Sequence, residues 1–158
     1  MAGRWGIRDI NPEPLLAALH WQRAVKSDYE LHCLRRANAR AVSGHLAAAK
    51  AFTAGAGEFD IQMAYLAATQ QRETELPYGN IVGLNENAAV LHYQLYQQAV
   101  PERHRSFLID AGACENGYAS DITRTYSADD GLFSELIAAL DRAQQALVDG
   151  IRPGDSFV

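Results

Sequence analysis

Apolar positions recur with a helical period at both ends of the chain and with a shorter period between them. Residues 28 to 53 place Leu31, Leu34, Ala41, Leu46, Ala49 and Phe52 at helical spacing, the recurrence that gives a helix one stripe to set against a core. Ser27 opens this segment and Glu30 follows three residues later, a pair suited to satisfying two free N–H groups at a helix start. The pattern predicts one long amphipathic helix from about 28 to 53. The break Thr53-Ala-Gly-Ala-Gly57 ends it, and EFDIQMAYLAATQQR restarts the period with Ile61, Tyr65 and Ala68 on one side.

Upstream, LLAALHW predicts a short helix, while Gly3, Gly6, Pro12 and Pro14 mark residues 1 to 20 as an irregular lead-in to a single unit over 21 to 158. From Tyr78 the texture changes. GNIVGLN and AAVLHYQLYQ are short β-branched and aromatic runs around an Asn-rich turn and read as strands, the second with Val90, His92 and Gln94 on one face. SFLIDAGACENGYASDITRTY, residues 106 to 126, reads as two more strands. LFSELIAALDRAQQALVDG returns to helix, with Leu132, Leu136, Leu140, Ala143 and Leu147 as its stripe and Gly150 as its stop. Helices flanking a run of antiparallel strands predict an α+β fold with helices packed on a sheet.

Composition narrows the class. A chain of 158 residues that is 48% hydrophobic and 21% charged suits one globular domain. A net charge of -5 gives no pull toward nucleic acid or an anionic membrane, and Arg23, Lys26, Arg35, Arg36 and Arg40 read as a solvated helix face. No apolar run approaches the roughly 18 residues of a membrane span, and the N-terminal stretch lacks a signal-peptide core. The two cysteines, Cys33 and Cys114, are far apart and outside any C-x-x-C, which points to a reducing cytoplasm.

The chemistry concentrates in residues 106 to 126. Asn116-Gly117 is the strongest short signature of a two-residue type I′ turn, and a fold-back about it pairs Asp110 with Thr123 and Gly112 with Asp121. Opposed residues share a face, as do residues two apart on a strand, so Asp110, Gly112, Asp121 and Thr123 point the same way. The carboxylates are diagonal neighbours about 7–8 Å apart at Cα, a reach that suits a pair of cations about 3.5–4 Å apart. Gly112 leaves them room. Two converging carboxylates repel unless something positive lies between them, and Arg124 alternates to the opposite face. Oxygen ligands suit Mn²⁺ or Mg²⁺, with Zn²⁺ and Co²⁺ also accommodated. Capping at strand ends accounts for the same aspartates without a metal; likewise His92 alone reads as a half-buried histidine, Tyr78 as a packing aromatic and Thr123 as a β-former.

The runs LIDAGACENGYASDITRTY, YGNIVGLNENAAVLHY and RAVKSDYELHCLRRANARAVSGH resemble the metal-dependent pita-bread peptidases, prolidases (Xaa-Pro dipeptidases) most closely, from about Trp21 to the end of the chain. The resemblance implies a partial pita-bread domain. It implies that Asp110 and Asp121 are the first two ligands of a dinuclear site, that His92 and less directly Tyr78 contact substrate, and that Thr123 orients Asp110. Creatinase shares the fold without the metals, so both aspartates place the chain with the metal-dependent members. Aminopeptidase P and organophosphorus acid anhydrolase are near relatives and alternative readings.

In that family a further histidine, two glutamates and a substrate-binding arginine lie on later strands, so the resemblance implies that this chain is the first half of a catalytic domain, with two of five protein ligands. Asp155 and Ser156 read as the N-cap of a helix that would follow. The implied cofactor is two divalent ions, Mn²⁺ before Co²⁺, Zn²⁺ or Mg²⁺, and the implied substrate is an Xaa-Pro dipeptide. The implied associations are a homodimer or the missing C-terminal half, with no nucleic acid and no membrane. A non-catalytic structural or interaction role for the chain by itself stands beside this reading.

Overall fold

The computed structural model describes residues 10–155. Helix α1 spans Glu13–Ala24 and buries none of its residues. Helix α2 runs Asp28–Thr53, capped as its sequence predicts: Ser27 Oγ accepts from the Glu30 N–H and the Glu30 carboxylate accepts from the Ser27 N–H at 2.7 Å. Helix α3 covers Glu58–Thr69 and strand β1 covers Ile81–Leu84. Strands β2 (Ser106–Ala111), β3 (Cys114–Glu115), β4 (Tyr118–Ala119) and β5 (Ile122–Ser127) precede helix α4 (Leu132–Gly150). Ser156 lies outside the described residues; Asp155 accepts at Oδ2 from the Arg152 N–H at 2.6 Å.

Strands β1, β2 and β5 form an antiparallel sheet in that order, and β3 and β4 extend its central hairpin. Alternation assigns the faces. Phe107, Ile109 and Ala111 of β2, with Val82 and Leu84 of β1, pack against Ala48 and Phe52 of α2 and Ile61 and Tyr65 of α3. Phe107 is stacked between Phe52 at 5.3 Å and Tyr126 at 5.5 Å. Each fully buried side chain of this size contributes about 1.5–3 kcal/mol of burial energy. The core therefore lies on one side of the sheet, and the other side carries Ser106, Leu108 and Asp110.

Three expectations give way. Residues 90–100 are not a strand: Asn85–Ala89 form a 3₁₀ turn and the chain then continues without regular pairing. His92 and Tyr96 have φ of 56° and 48°, outside the pleated region, and the segment's hydrogen bonds run to the Glu58 carboxylate and to the Gly79 and Asn80 carbonyls instead of to a neighbouring strand. Leu91, which strand alternation would place on the same face as the buried Tyr93, is 83% exposed, and its neighbours Val90 and His92 are exposed too, so the expected two-face alternation is absent. Leu46 is 67% exposed, because α2 buries instead the stripe Cys33, Ala37, Ala41, Gly44, His45, Ala48 and Phe52. The stripe of α4 is also open to solvent, Leu136 at 61% and Leu140 at 70%. A groove of about 690 Å³ separates α4 from the open sheet face, lined by Leu108, Thr123, Thr125, Phe133 and Ile137.

Candidate metal centre

The hairpin that carries both aspartates keeps one register on either side of a break in the ladder at residues 112–113 and 120–121, so the expected Gly112–Asp121 ladder pair is not formed. Asp110 pairs with Thr123, Ile109 with Arg124, Cys114 with Ala119 and Glu115 with Tyr118. Asn116 and Gly117, at φ 51° and 83°, provide the left-handed turn that this register requires. The tip is fastened to α2. Arg36 Nε meets Glu115 Oε1 at 2.8 Å, Arg40 Nη1 donates to the Cys114 carbonyl at 3.0 Å, and Tyr118 donates to Glu30 at 3.1 Å. Arg36 and Arg40 thus leave the solvated face that composition suggests and position the hairpin.

Gly112 has a different use from the one expected. A Cβ there would lie 2.1 Å from the Ser120 carbonyl oxygen, 2.8 Å from Pro77 Cγ and 3.0 Å from Tyr78 Cε1. The glycine admits the opposing backbone and the Tyr78 ring, rather than space for carboxylates. Ser120, buried, donates back toward the Ala113 and Ala37 carbonyls and accepts from the Ala113 N–H at 2.9 Å. The two strands are therefore drawn together between Asp110 and Asp121.

On the open face Thr123 Oγ1 donates to Asp110 Oδ2 at 2.9 Å. Asp110 Oδ1 is buried and has no hydrogen-bond partner. Tyr78 donates to Asp121 Oδ1 at 2.9 Å. Burial, and then the adjacent Asp121 and Asp110 carboxylates, push the Tyr78 phenol well above its ordinary range, so the proton stays on its oxygen. One phenol thus lies against both carboxylates. Among the described residues no third histidine, cysteine or carboxylate joins this pair. His92 is exposed on the 90–100 loop and makes no hydrogen bond to either aspartate.

An orphaned carboxylate oxygen beside a second carboxylate is costly without a cation, and the donor set is the hard-oxygen kind that divalent ions take. Residues 32–158 match the model of metallopeptidase family M24. The chain belongs to that family. It is 56% identical over 153 residues to the Xaa-Pro dipeptidase of Shewanella woodyi, covering 97% of this chain and 35% of the relative. It is 53% identical over 152 residues to that of Shewanella amazonensis, covering 96% and 35%. Aminopeptidase P from E. coli superposes with a TM-score of 0.76 and 28% identity over 87% of this chain and 32% of the other. The chain spans about a third of the length of the curated relatives it matches.

M24 metallopeptidases are dimetal enzymes, and the α+β arrangement described above is part of their pita-bread fold. Helices α2 and α3 cover one face of the sheet, and the other face carries Asp110 and Thr123.

Sequence reasoning missed the Tyr78–Asp121 hydrogen bond, the tethering of the hairpin by Arg36 and Arg40, and the role of Glu58. Nearly fully buried, Glu58 accepts four hydrogen bonds from residues 84 to 97. Its position in the first turn of α3 looks like an ordinary acidic helix start, and none of its partners is near in sequence.

Proposed function

We propose that the protein to which this chain belongs hydrolyses Xaa-Pro dipeptides with a pair of divalent ions, and that these residues supply part of its metal site. The observation that carries the proposal is the unpartnered, buried Asp110 Oδ1 beside Asp121, in a chain more than half identical to Xaa-Pro dipeptidases. Asp110 and Asp121 hold the ions, with Mn²⁺ preferred over Co²⁺, Zn²⁺ or Mg²⁺ for oxygen ligands. Bound there, divalent ions polarise a peptide carbonyl and lower the pKa of water.

An Xaa-Pro bond has a tertiary nitrogen and offers no N–H for recognition. Recognition must come from groups flanking the carbonyl and the chain ends. Thr123 fixes one oxygen of Asp110 and leaves the other free to ligate. Tyr78 keeps its proton and is a donor at the edge of the site, toward Asp121 and the substrate. His92, on its exposed loop, donates to the substrate carbonyl oxygen or positions the dipeptide. The two aspartates are the first two ligands of a larger set, and by themselves they give little selectivity or preorganisation. The chain alone then has no turnover and associates as a homodimer or with the rest of the protein, in a reducing cytoplasm where Cys33 and Cys114 stay thiols.

The test is Gly-Pro hydrolysis by the full-length protein with Mn²⁺, together with Asp121→Asn. Asparagine keeps the shape and removes a ligand charge. We expect lost metal content and lost activity with an unchanged fold; wild-type Mn²⁺ content in the variant, or no metal-dependent hydrolysis by the parent, overturns the proposal. Measurable turnover by the 158 residues alone overturns the view that they are inert.

A further inference from the structure

Glu58 is only 1% exposed and no cation pairs with it among the described residues. Its charge is met by donors. Oε1 accepts from the Leu84 N–H at 2.8 Å and from Asn87 Nδ2 at 2.9 Å; Oε2 accepts from the Tyr93 hydroxyl at 2.6 Å and from the Gln97 N–H at 2.9 Å. Asn87 also donates to the Tyr93 hydroxyl at 3.0 Å, which ties the two oxygens' partners together. The start of α3 adds the favourable end of its dipole. A carboxylate is the side chain that accepts at both of its atoms with no donor of its own, so all four bonds point inward to one residue.

These four donors bracket His92. Leu84 ends β1, Asn87 sits in the 3₁₀ turn, Tyr93 is the next residue after His92, and Gln97 closes the segment. With the Tyr93 side chain turned down onto Glu58, His92 is left exposed with its backbone at positive φ. The same segment is laid against the stretch that carries Tyr78: Gln94 Nε2 donates to the Gly79 carbonyl at 2.7 Å and the Tyr96 hydroxyl to the Asn80 carbonyl. Phe59 N–H, beside Glu58, donates to the Gln97 carbonyl at 3.3 Å. An irregular segment of this length has no ladder to fix it, and Glu58 takes the place of one.

We infer that Glu58 is a positioning residue: its buried carboxylate sets where His92 is presented relative to Tyr78 and the two aspartates. The inference rests on the reading above in which His92 and Tyr78 face the substrate. A misplacement of about 1 Å at such a group costs on the order of 100-fold in rate. Glutamine at 58 keeps the size and loses one acceptor pair, so either the Tyr93 or the Leu84 side of the segment is released.

A double-mutant cycle in the full-length protein tests it, with kcat/KM on Gly-Pro measured for Glu58→Gln, His92→Ala and the two together. A residue acting through His92 shows non-additivity: we expect Glu58→Gln to lower kcat/KM by roughly 10-fold to 100-fold with metal content unchanged, and to cost nothing further once His92 is alanine. Full additivity makes Glu58 a fold anchor only and overturns the inference. Tyr93→Phe, which removes one of the four donors, repeats the cycle should the glutamine variant fail to fold. In the full-length protein, amide exchange at Gln97 should accelerate and the His92 imidazole resonances should shift in Glu58→Gln, with Ile109 still protected. Unchanged His92 resonances overturn the inference whatever the parent hydrolyses. Shifted resonances in a protein whose wild type does not cleave Gly-Pro support the positioning and count against the activity alone.

Discussion

Thr123 and Asp110 stand directly opposite one another across the β2–β5 ladder, with the Thr123 hydroxyl donating to Asp110 Oδ2 at 2.9 Å. The pairing holds one carboxylate oxygen and leaves the other, buried, without a partner. Valine at 123 preserves the β-branched shape and the strand but lets the carboxylate rotate. We expect Thr123→Val in the full-length protein to weaken metal binding by about 10-fold to 100-fold, with a change in fold stability of only about 1 kcal/mol. A metal titration with a parallel melting curve checks both, and wild-type affinity would mean that the hydroxyl does not set the ligand.

Gly112 tests the hairpin itself. Its absent Cβ is replaced by the Ser120 carbonyl at 2.1 Å, a backbone atom that cannot swing aside, and by the Tyr78 ring at 3.0 Å. Gly112→Ala should destabilise the chain by about 3 kcal/mol or more and displace Tyr78 from Asp121. Urea unfolding reads the first effect. An unchanged midpoint would show slack between the strands that the contacts do not suggest.

Exposed apolar surface bears on association. Leu132, Leu136, Leu140 and Leu147 of α4 are open to solvent, and β1 and β5 are sheet edges with unpaired backbone groups. Covering such surface gains roughly 25 cal/mol per Å², against which a net charge of -5, screened within about 8 Å at physiological salt, offers weak opposition. The chain should self-associate at high concentration, and Leu136→Lys with Leu140→Lys should reduce this. Light scattering that finds a monodisperse 17.3 kDa monomer with cooperative unfolding would count against the expectation.

Alkaline pH should loosen the loop that carries His92. Burial, and then the hydrogen bond that the phenol donates to the Glu58 carboxylate, push the Tyr93 phenol up to about 12, whereas an unfolded tyrosine ionises near pH ~10. The folded chain holds this proton more tightly, so the contribution is complete below about pH 10 and is lost as pH rises toward 12. Urea midpoints should fall across that window and fall less in Tyr93→Phe. Equal slopes for the two proteins would remove Tyr93 as the cause.

The sequence by itself determined the elements whose signals are local. The Ser27–Glu30 cap and the glycine break gave α2 its bounds, and Asn116-Gly117 fixed a ladder in which Asp110 meets Thr123, because turn geometry dictates register over the whole hairpin. The motif carrying the two aspartates was legible for the same reason. What only the tertiary structure decided was where distant groups satisfy one another. Residues 90–100 have the composition of a strand, yet their hydrogen bonds run to Glu58 and to the 79–80 carbonyls. Leu46 and the α4 stripe have the period of core positions and still face solvent. A periodic pattern states that an element has an apolar side, while the presence of a neighbour to cover that side depends on packing between elements. A buried carboxylate such as Glu58 likewise depends on donors far along the chain, and leaves no pattern in the residues around it.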